Sequence, residues 1–284
     1  MPSVEGLRYV APPFPSQLRL DTTTECNASC LSCHRAYSKR QGQMPMELID
    51  QLLDDVSKWE RPIKEIVPVG YGEFFIRKDW FEILQKITTK LPYTVIVIPT
   101  NGSLIDTDMV YKLAKIPTLK IINFSVNAFF DETYQNFMKL NPNVIIKIRR
   151  AIPQIRILRR DINIWVSMVF DPAYQTDFEK DEFIKYWISC SYPQILPAAS
   201  AGRPDQKPSN PVKLPCRSIF SDIVVGYDGK ISSCCFDANF TLDLGYYKGD
   251  LRKSWRGRKL NALRLAHNEH RREEYSLCKR CTFA

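Results

Sequence analysis

From residue 17 to residue 196 the chain alternates between short runs rich in β-branched residues and longer stretches with apolar side chains at helical spacing, a pattern that leaves few folds open. A strand followed by a helix long enough to cross back over a sheet is a parallel βα unit with a right-handed connection. Strands are predicted at residues 17–22, 63–69, 94–99, 119–126, 163–169 and 192–196. Helices are predicted at residues 46–59, 80–90, 107–115, 144–158 (kinked at Pro153) and 177–189. The first helix shows the logic: Leu48, Leu52, Leu53 and Val56 share one face, and Pro45 enters at a first-turn position. Six such repeats curl into a partial barrel, and in parallel α/β folds chemistry gathers at the carboxyl ends of the strands. The fold class expected is α/β, a partial (β/α)6 barrel over residues 15–196 with a small C-terminal α+β domain.

Directly after the first strand stands CNASCLSC, which places Cys26, Cys30 and Cys33 within eight residues. A 4Fe-4S cluster is ordinarily held by four thiolates. Three leave one iron free to bind a substrate or cofactor. Zinc prefers four ligands in paired Cys-x2-4-Cys arms, and His34, adjacent to Cys33, is badly placed to complete a tetrahedron with it. No apolar signal segment opens the sequence, which argues against an oxidising compartment and its disulfides.

The Cys-x3-Cys-x2-Cys spacing behind a strand resembles the radical S-adenosylmethionine (SAM) superfamily, although Ser32 stands where that family often has an aromatic residue. The resemblance implies that Cys26, Cys30 and Cys33 hold a 4Fe-4S cluster whose free iron is chelated by SAM. Gly70-Tyr71-Gly72-Glu73 is similar to the family's glycine-rich "GGE" segment, with Tyr71 in place of one glycine and Phe74 in place of a proline. By that likeness Gly72 lets the backbone approach SAM and Glu73 accepts its ammonium. The likeness also places Asn101, in Thr100-Asn101-Gly102, near SAM, and points Ser125 and Asn127 toward its ribose or carboxylate. It sets the backbone of Ser167, Met168 and Val169 near the adenine.

A second group of cysteines closes the chain: Cys216, Cys234, Cys278 and Cys281. Between the first two, residues 223–226 and 230–233 flank Tyr227-Asp228-Gly229, a hairpin signal. This arrangement resembles the SPASM and twitch branch of radical SAM enzymes, and the number of cysteines matches the twitch form with its single auxiliary 4Fe-4S cluster. Four thiolates also suit a zinc ribbon, and Cys235 is an alternative to Cys234. The domain reading is therefore a barrel over residues 15–196, a proline-rich linker over 197–215 and an iron-sulfur domain over 216–284. A single helix is predicted over residues 251–267, with Gly257 inside its first turns. His267 and His270 are expected at the surface, Cys190 as a small buried residue, and the tryptophans at 59, 80, 165, 187 and 255 in the core.

A net charge of +9 admits an anionic partner, but the basic residues are scattered. No apolar run approaches a membrane span of about 20 residues, so a cytoplasmic enzyme is expected. The resemblance implies reductive cleavage of SAM to a 5′-deoxyadenosyl radical, hydrogen abstraction from a substrate and a two-electron oxidation assisted by the auxiliary cluster. Its substrate would be a small molecule or peptide, with flavodoxin or ferredoxin as electron donor. An RNA-modifying radical SAM enzyme and a non-catalytic zinc-binding interaction protein are the alternatives. With about 16 residues before the first strand, no leader-peptide domain is expected there. Tyr37, Asp131, Glu132 and Arg150 are pocket candidates by chain position, and no residue stands out as a general base.

Overall fold

The computed structural model describes residues 8–198, 201, 203 and 212–283. Its first six strands are β1 (Gln17–Leu20), β2 (Glu65–Val67), β3 (Val95–Thr100), β4 (Leu119–Ser125), β5 (Asn163–Phe170) and β6 (Tyr192–Pro197). Interleaved with them are α1 (Met46–Ser57), α2 (Trp80–Lys90), α3 (Thr107–Ala114), α4 (Asp131–Met138), α5 (Asn143–Leu158) and α6 (Asp177–Trp187). The C-terminal part adds α7 (Ser218–Ser221), β7 (Asp222–Val225), β8 (Ile231–Ser232), α8 (Leu251–Trp255), α9 (Arg258–Asn268) and α10 (Ser276–Lys279). All eight strands form one sheet in the order β6-β5-β4-β3-β2-β1-β7-β8, parallel throughout except for the β7–β8 hairpin.

The strands alternate. Leu18 and Leu20 of β1, and Ile96 and Ile98 of β3, are fully buried, while their neighbours Gln17, Arg19, Val95 and Val97 are half-buried on the opposite face. That second face lines the barrel interior, where Gln17 Nε2 donates to Glu65 Oε2 at 2.9 Å and Arg19 Nη1 donates to the Val69 carbonyl at 3.0 Å. The helices cover the first face with side chains at 3.6-residue spacing: Ile49, Leu52, Leu53 and Val56 on α1, Trp80, Ile83, Leu84 and Ile87 on α2.

Three departures from the sequence reading have physical causes. Residues 131–138, which had no helix assigned, form α4. Its acidic first turn, Asp131 and Glu132, suits a helix N-terminus, and Tyr134, Phe137 and Met138 bury one face, but eight residues with three apolar positions make a weak periodic signal. The helix expected over 251–267 is two, because Gly257 takes an extended conformation as the cap of α9. A Cβ there would lie 2.9 Å from the Lys253 carbonyl oxygen. Finally, the C-terminal hairpin does not form a sheet of its own: β7 pairs in parallel with β1 from Gln17↔Asp222 to Leu20↔Val225. In the core, Trp59, Trp80, Trp187 and Trp255 are buried as expected. Trp165 is only half-buried and lines a groove at the amino end of β5 with Arg156, Arg160 and Tyr192. The linker reading falls mostly outside the described residues.

Because β1 is paired on both sides, its buried leucines carry both the barrel and the hairpin. Leu18→Ala is expected to cost about 2–5 kcal/mol, measured as a lowered urea midpoint with unchanged denaturant slope.

Candidate functional site: two cysteine-lined sites joined across the chain

The chain leaves β1 into Asp21, Thr22, Thr23 and Thr24, all buried polar residues, held by bonds rather than by apolar contacts. Thr22 Oγ1 donates to the Pro68 carbonyl at 2.7 Å, and buried Arg77 donates to the carbonyls of Thr22 and Met44 at 2.6 and 2.9 Å. The loop that follows brings Cys26, Cys30 and Cys33 together at the carboxyl end of the sheet, with a short 3-10 turn, His34–Tyr37, directly behind Cys33. All three thiols are free and half-buried. Burial pushes the Cys30 thiol up to about 12, and the neighbouring Cys33 and Cys26 add to the effect.

The claw loop is anchored on both sides. Toward α4, Ser29 N and Leu31 N donate to the carbonyls of Met138 and Phe137 at 3.3 and 2.9 Å, and Cys30 Sγ lies 3.5 Å from Met138 Sδ. Toward β3, Asn101 Nδ2 donates to Asn27 Oδ1 at 2.9 Å, and Asn27 Nδ2 donates to Ser103 Oγ at 2.8 Å. Glu73 is buried beneath this junction. Its carboxylate accepts from Thr100 Oγ1 and Asn101 N, each at 2.8 Å, and from Phe75 N at 3.3 Å, so it ties the loop after β2 to the turn after β3. Burial raises its pKa, and these three donors oppose the rise. Gly72 sits so close to the claw loop that a Cβ would fall 2.2 Å from the Thr23 carbonyl oxygen. Only glycine fits there.

Asn127 is buried in the left-handed region at φ 62°. Its Oδ1 accepts from Val169 N at 2.8 Å and its Nδ2 contacts Met138 Sδ at 3.1 Å, so its polar atoms brace β4 against β5 and α4. Ser125 is half-buried on β4, in register with Ser167. Of the positional candidates, Asp131, Glu132 and Arg150 are exposed on α4 and α5 and do not belong to the site.

The second site is a cavity lined by Cys216, Cys234, Cys235, Cys278 and Cys281 with Ile219, Phe236, Leu242, Leu277, His267 and Arg272 among its walls. Burial pushes Cys278 up to about 12 and raises Cys234 and Cys281. No disulfide links any of the nine cysteines, and no three His, Cys, Asp or Glu side chains among the described residues converge as a single-ion site. His267, expected at the surface, is completely buried here. Its Nδ1 accepts from Cys216 N at 3.1 Å. Burial, with the nearby Arg272 charge, lowers it to about 4, which outweighs the roughly 0.3–1 kcal/mol by which a helix C-terminus favours a charged imidazole.

The segments that follow the two sites pack together. Asn239, past Cys235, accepts from Lys39 N and donates to the Tyr37 carbonyl, both at 3.0 Å, and Ser38 Oγ donates to the Ala238 carbonyl at 3.0 Å. Tyr71 Oη, beside Gly72, donates to the Cys235 carbonyl at 2.8 Å. The rings of His34 and Phe236 lie 5.0 Å apart.

Both sites suit an iron-sulfur cluster by their own chemistry. Burial raises the thiols of Cys26 and Cys30 at the first site and of Cys234, Cys278 and Cys281 at the second, so they stay protonated at neutral pH unless a cation compensates the thiolate charge, which a cluster's iron does. Each site also presents buried polar atoms that find no partner among the described residues: Tyr134 Oη beside Cys30, and His267 Nε2 and Arg272 Nε at the second site.

Comparison with known proteins gives the class. Residues 20–177 match the Radical SAM superfamily and residues 216–282 match the SPASM iron-sulfur cluster-binding domain. The chain belongs to the radical SAM superfamily, in its SPASM/twitch branch. Its cofactors are accordingly SAM, a 4Fe-4S cluster and an auxiliary iron-sulfur cluster. It is similar to a probable GTP 3′,8-cyclase of Methanothermobacter marburgensis, 34% identical over 42% of this chain and 37% of that protein. It is also similar to the FeMo cofactor biosynthesis protein NifB of Methanocaldococcus jannaschii, 25% identical over 43% of each. The chain thus spans about two-fifths of the length of these curated relatives. Its fold is shared with BtrN in complex with AdoMet and 2-DOIA, at TM-score 0.67 and 18% identity over 94% of this chain and 93% of that one. It is shared also with Streptococcus suis SuiB bound to precursor peptide SuiA, at TM-score 0.72 and 14% identity over 96% of this chain and 70% of that one. Among the described residues no helix is long and apolar enough to cross a membrane.

Sequence reasoning missed Asp21, which is buried where β1 opens into the claw loop. Its Oδ1 accepts from Tyr71 N at 3.0 Å. Burial raises it to about 6, against the Tyr71 bond and the Arg40 charge. Between its unfolded value near 3.8 and about 6 the folded protein holds a proton that the unfolded chain has released. Stability therefore falls as pH rises through that window, by roughly 2–3 kcal/mol, and levels off above it. Asp21→Asn is expected to flatten this slope in urea titrations of the metal-free protein between pH 4 and 7; an unchanged slope would exclude Asp21 as its source.

Proposed function

We propose that this chain is a radical SAM oxidoreductase that abstracts hydrogen from a small molecule or peptide and completes a two-electron oxidation with the help of its auxiliary cluster. Cys26, Cys30 and Cys33 would hold the SAM-binding cluster, and Cys216, Cys234, Cys278 and Cys281 the auxiliary one. The observation that carries this reading is the set of bonds joining the turn behind Cys33 to the segment behind Cys235, across about two hundred residues of chain. They hold the segment after Cys235 against the turn after Cys33, which supports a substrate bound between the two sites passing an electron to the auxiliary cluster.

When bound and reduced, the cluster held by Cys26, Cys30 and Cys33 would supply the one electron that splits SAM into methionine and a 5′-deoxyadenosyl radical. The protein contributes placement. Gly72 lets backbone come close, Glu73 holds the loops after β2 and β3 together, and Asn127 fixes the end of β4 against β5. Carboxylates accept at about four lone-pair positions, so Glu73 retains capacity for a ligand ammonium beyond its three protein donors. Gly72, Glu73, Asn101, Ser125 and Asn127 are the residues we assign to SAM. Cys234 is favoured over Cys235 because it packs with Ala201, Leu277 and Cys281, whereas Arg19 and Asp222 act on the Cys235 thiol. The barrel would occupy residues 15–196 and the cluster domain 216–284, joined by 197–215. Likeness to the GTP 3′,8-cyclases covers under half of this chain, so a small-molecule or peptide substrate rests on the fold shared with BtrN and SuiB over almost its whole length. Flavodoxin or ferredoxin is the electron donor in this reading.

Anaerobically reconstituted protein is expected to bind about eight irons and, with dithionite, to convert SAM to 5′-deoxyadenosine. The triple variant Cys26→Ala, Cys30→Ala, Cys33→Ala should lose half the iron and all SAM cleavage. Cys278→Ala with Cys281→Ala should lose the other half yet still cleave SAM. Bound zinc without iron would refute the reading. Gly72→Ala, whose Cβ would fall 2.2 Å from the Thr23 carbonyl oxygen, is expected to displace the claw loop and so to lower iron content and 5′-deoxyadenosine yield together, read by iron analysis and product assay.

A further inference from the structure

The wall of the C-terminal cavity holds two buried nitrogen donors that the cluster reading does not use. His267, in the last turns of α9, is 0% exposed, and Arg272 is 3% exposed. The ring of His267 is oriented by the backbone: Cys216 N–H donates to Nδ1 at 3.1 Å, so Nδ1 carries the lone pair and the proton of the neutral ring sits on Nε2. Among the described residues that Nε2 has no partner, although it lines the same cavity as the four cysteines. Arg272 spends Nη1 on the Leu214 carbonyl at 2.8 Å and Nη2 on the Phe283 carbonyl at 3.3 Å. Its Nε is buried and finds no partner among the described residues. Both carbonyls are neutral, and the guanidinium also hydrogen-bonds the Cys281 side chain and acts on the Cys278 thiol, so its positive charge is directed at the cysteines. A buried N–H aimed at no acceptor costs about 1–3 kcal/mol, a cost that two adjacent residues share on one cavity wall.

We propose that His267 and Arg272 are positioning residues that set the reduction potential of the auxiliary cluster, His267 by donating Nε2–H to a sulfur and Arg272 by its buried positive charge. The inference rests on the assignment of Cys216, Cys234, Cys278 and Cys281 as ligands. Cluster potentials follow net charge, hydrogen bonds to the sulfurs and solvent exposure. A donor and a cation both favour the more negative, reduced state, so both raise the potential. The bond from Cys216 N–H to the ring links one ligand's backbone to the donor. The imidazole therefore cannot turn its lone pair toward the cluster without breaking that contact.

The test uses the full chain carrying Cys26→Ala, Cys30→Ala and Cys33→Ala, so that only the C-terminal cluster is present. Potentiometry followed by electron paramagnetic resonance is expected to show the midpoint shifted to more negative values by His267→Leu and by Arg272→Met. His267→Gln, which keeps an N–H donor near the Nε2 position, should restore much of the shift. With 15N-histidine labelling, the reduced cluster should show a weak nitrogen coupling that His267→Gln removes. About four irons with an unshifted midpoint in His267→Leu would overturn the inference and leave the cluster assignment standing. Should His267→Leu fail to hold the cluster, absence of the labelled coupling in the unsubstituted histidine protein would overturn it equally. No iron in the triple variant would bring down the ligand assignment itself, and the inference with it.

Discussion

Strand β1 is paired on both edges, and most of what matters in this molecule follows from that. On one side it begins the run of barrel strands through β2; on the other it pairs in parallel with β7, more than two hundred residues later. Its carboxyl end feeds the claw loop, and β7 leads into the hairpin behind which Cys234 stands. A single four-residue strand thus registers both cysteine groups against each other. The fully buried Leu18 and Leu20 hold that register, since a one-residue slip would turn them into the barrel interior and drive Gln17 and Arg19 into the core.

Around this strand the polar interior is organised by bonds between loops. Glu73, Asn101 and Asn127 were each singled out as ligand contacts, and each makes structural bonds that join one loop to the next. Such residues can serve a ligand only because the backbone around them is already fixed, which is preorganisation in its plainest form. The thiols illustrate the complementary point. Burial raises Cys30, Cys234, Cys278 and Cys281, so cluster assembly must release protons there as it creates thiolates. Iron uptake and packing at these sites are thermodynamically linked.

Much of the architecture was legible in the residues. The strand and helix periods from 17 to 196 predict the βα order, and the hairpin signal at Tyr227-Asp228-Gly229 predicts the β7–β8 turn, where Gly229 adopts φ 82°. The cysteine spacing points to the sites because metal-ligand geometry is local. Other features left weak traces. Helix α4 is short, its apolar positions are few, and its role as a support for Cys30 depends on contacts made by Met138 over a long sequence separation. His267 looked like a surface residue because one histidine in a basic helix carries no burial signal of its own. Only the packing of α9 against α7 and the cysteine loops puts it inside.

What the sequence by itself determined was what near neighbours set: the period of the longer elements, the turn residues and the three-cysteine claw. Tertiary structure alone decided how the C-terminal cysteines meet the first three, which carboxylate is buried at the end of β1 and which imidazole faces the second cavity. The reason is physical. Local preferences depend on side chains a few residues apart, whereas burial and charge depend on which distant segments come to lie against one another, and here those segments are joined by a strand pairing that nothing in the local pattern announces.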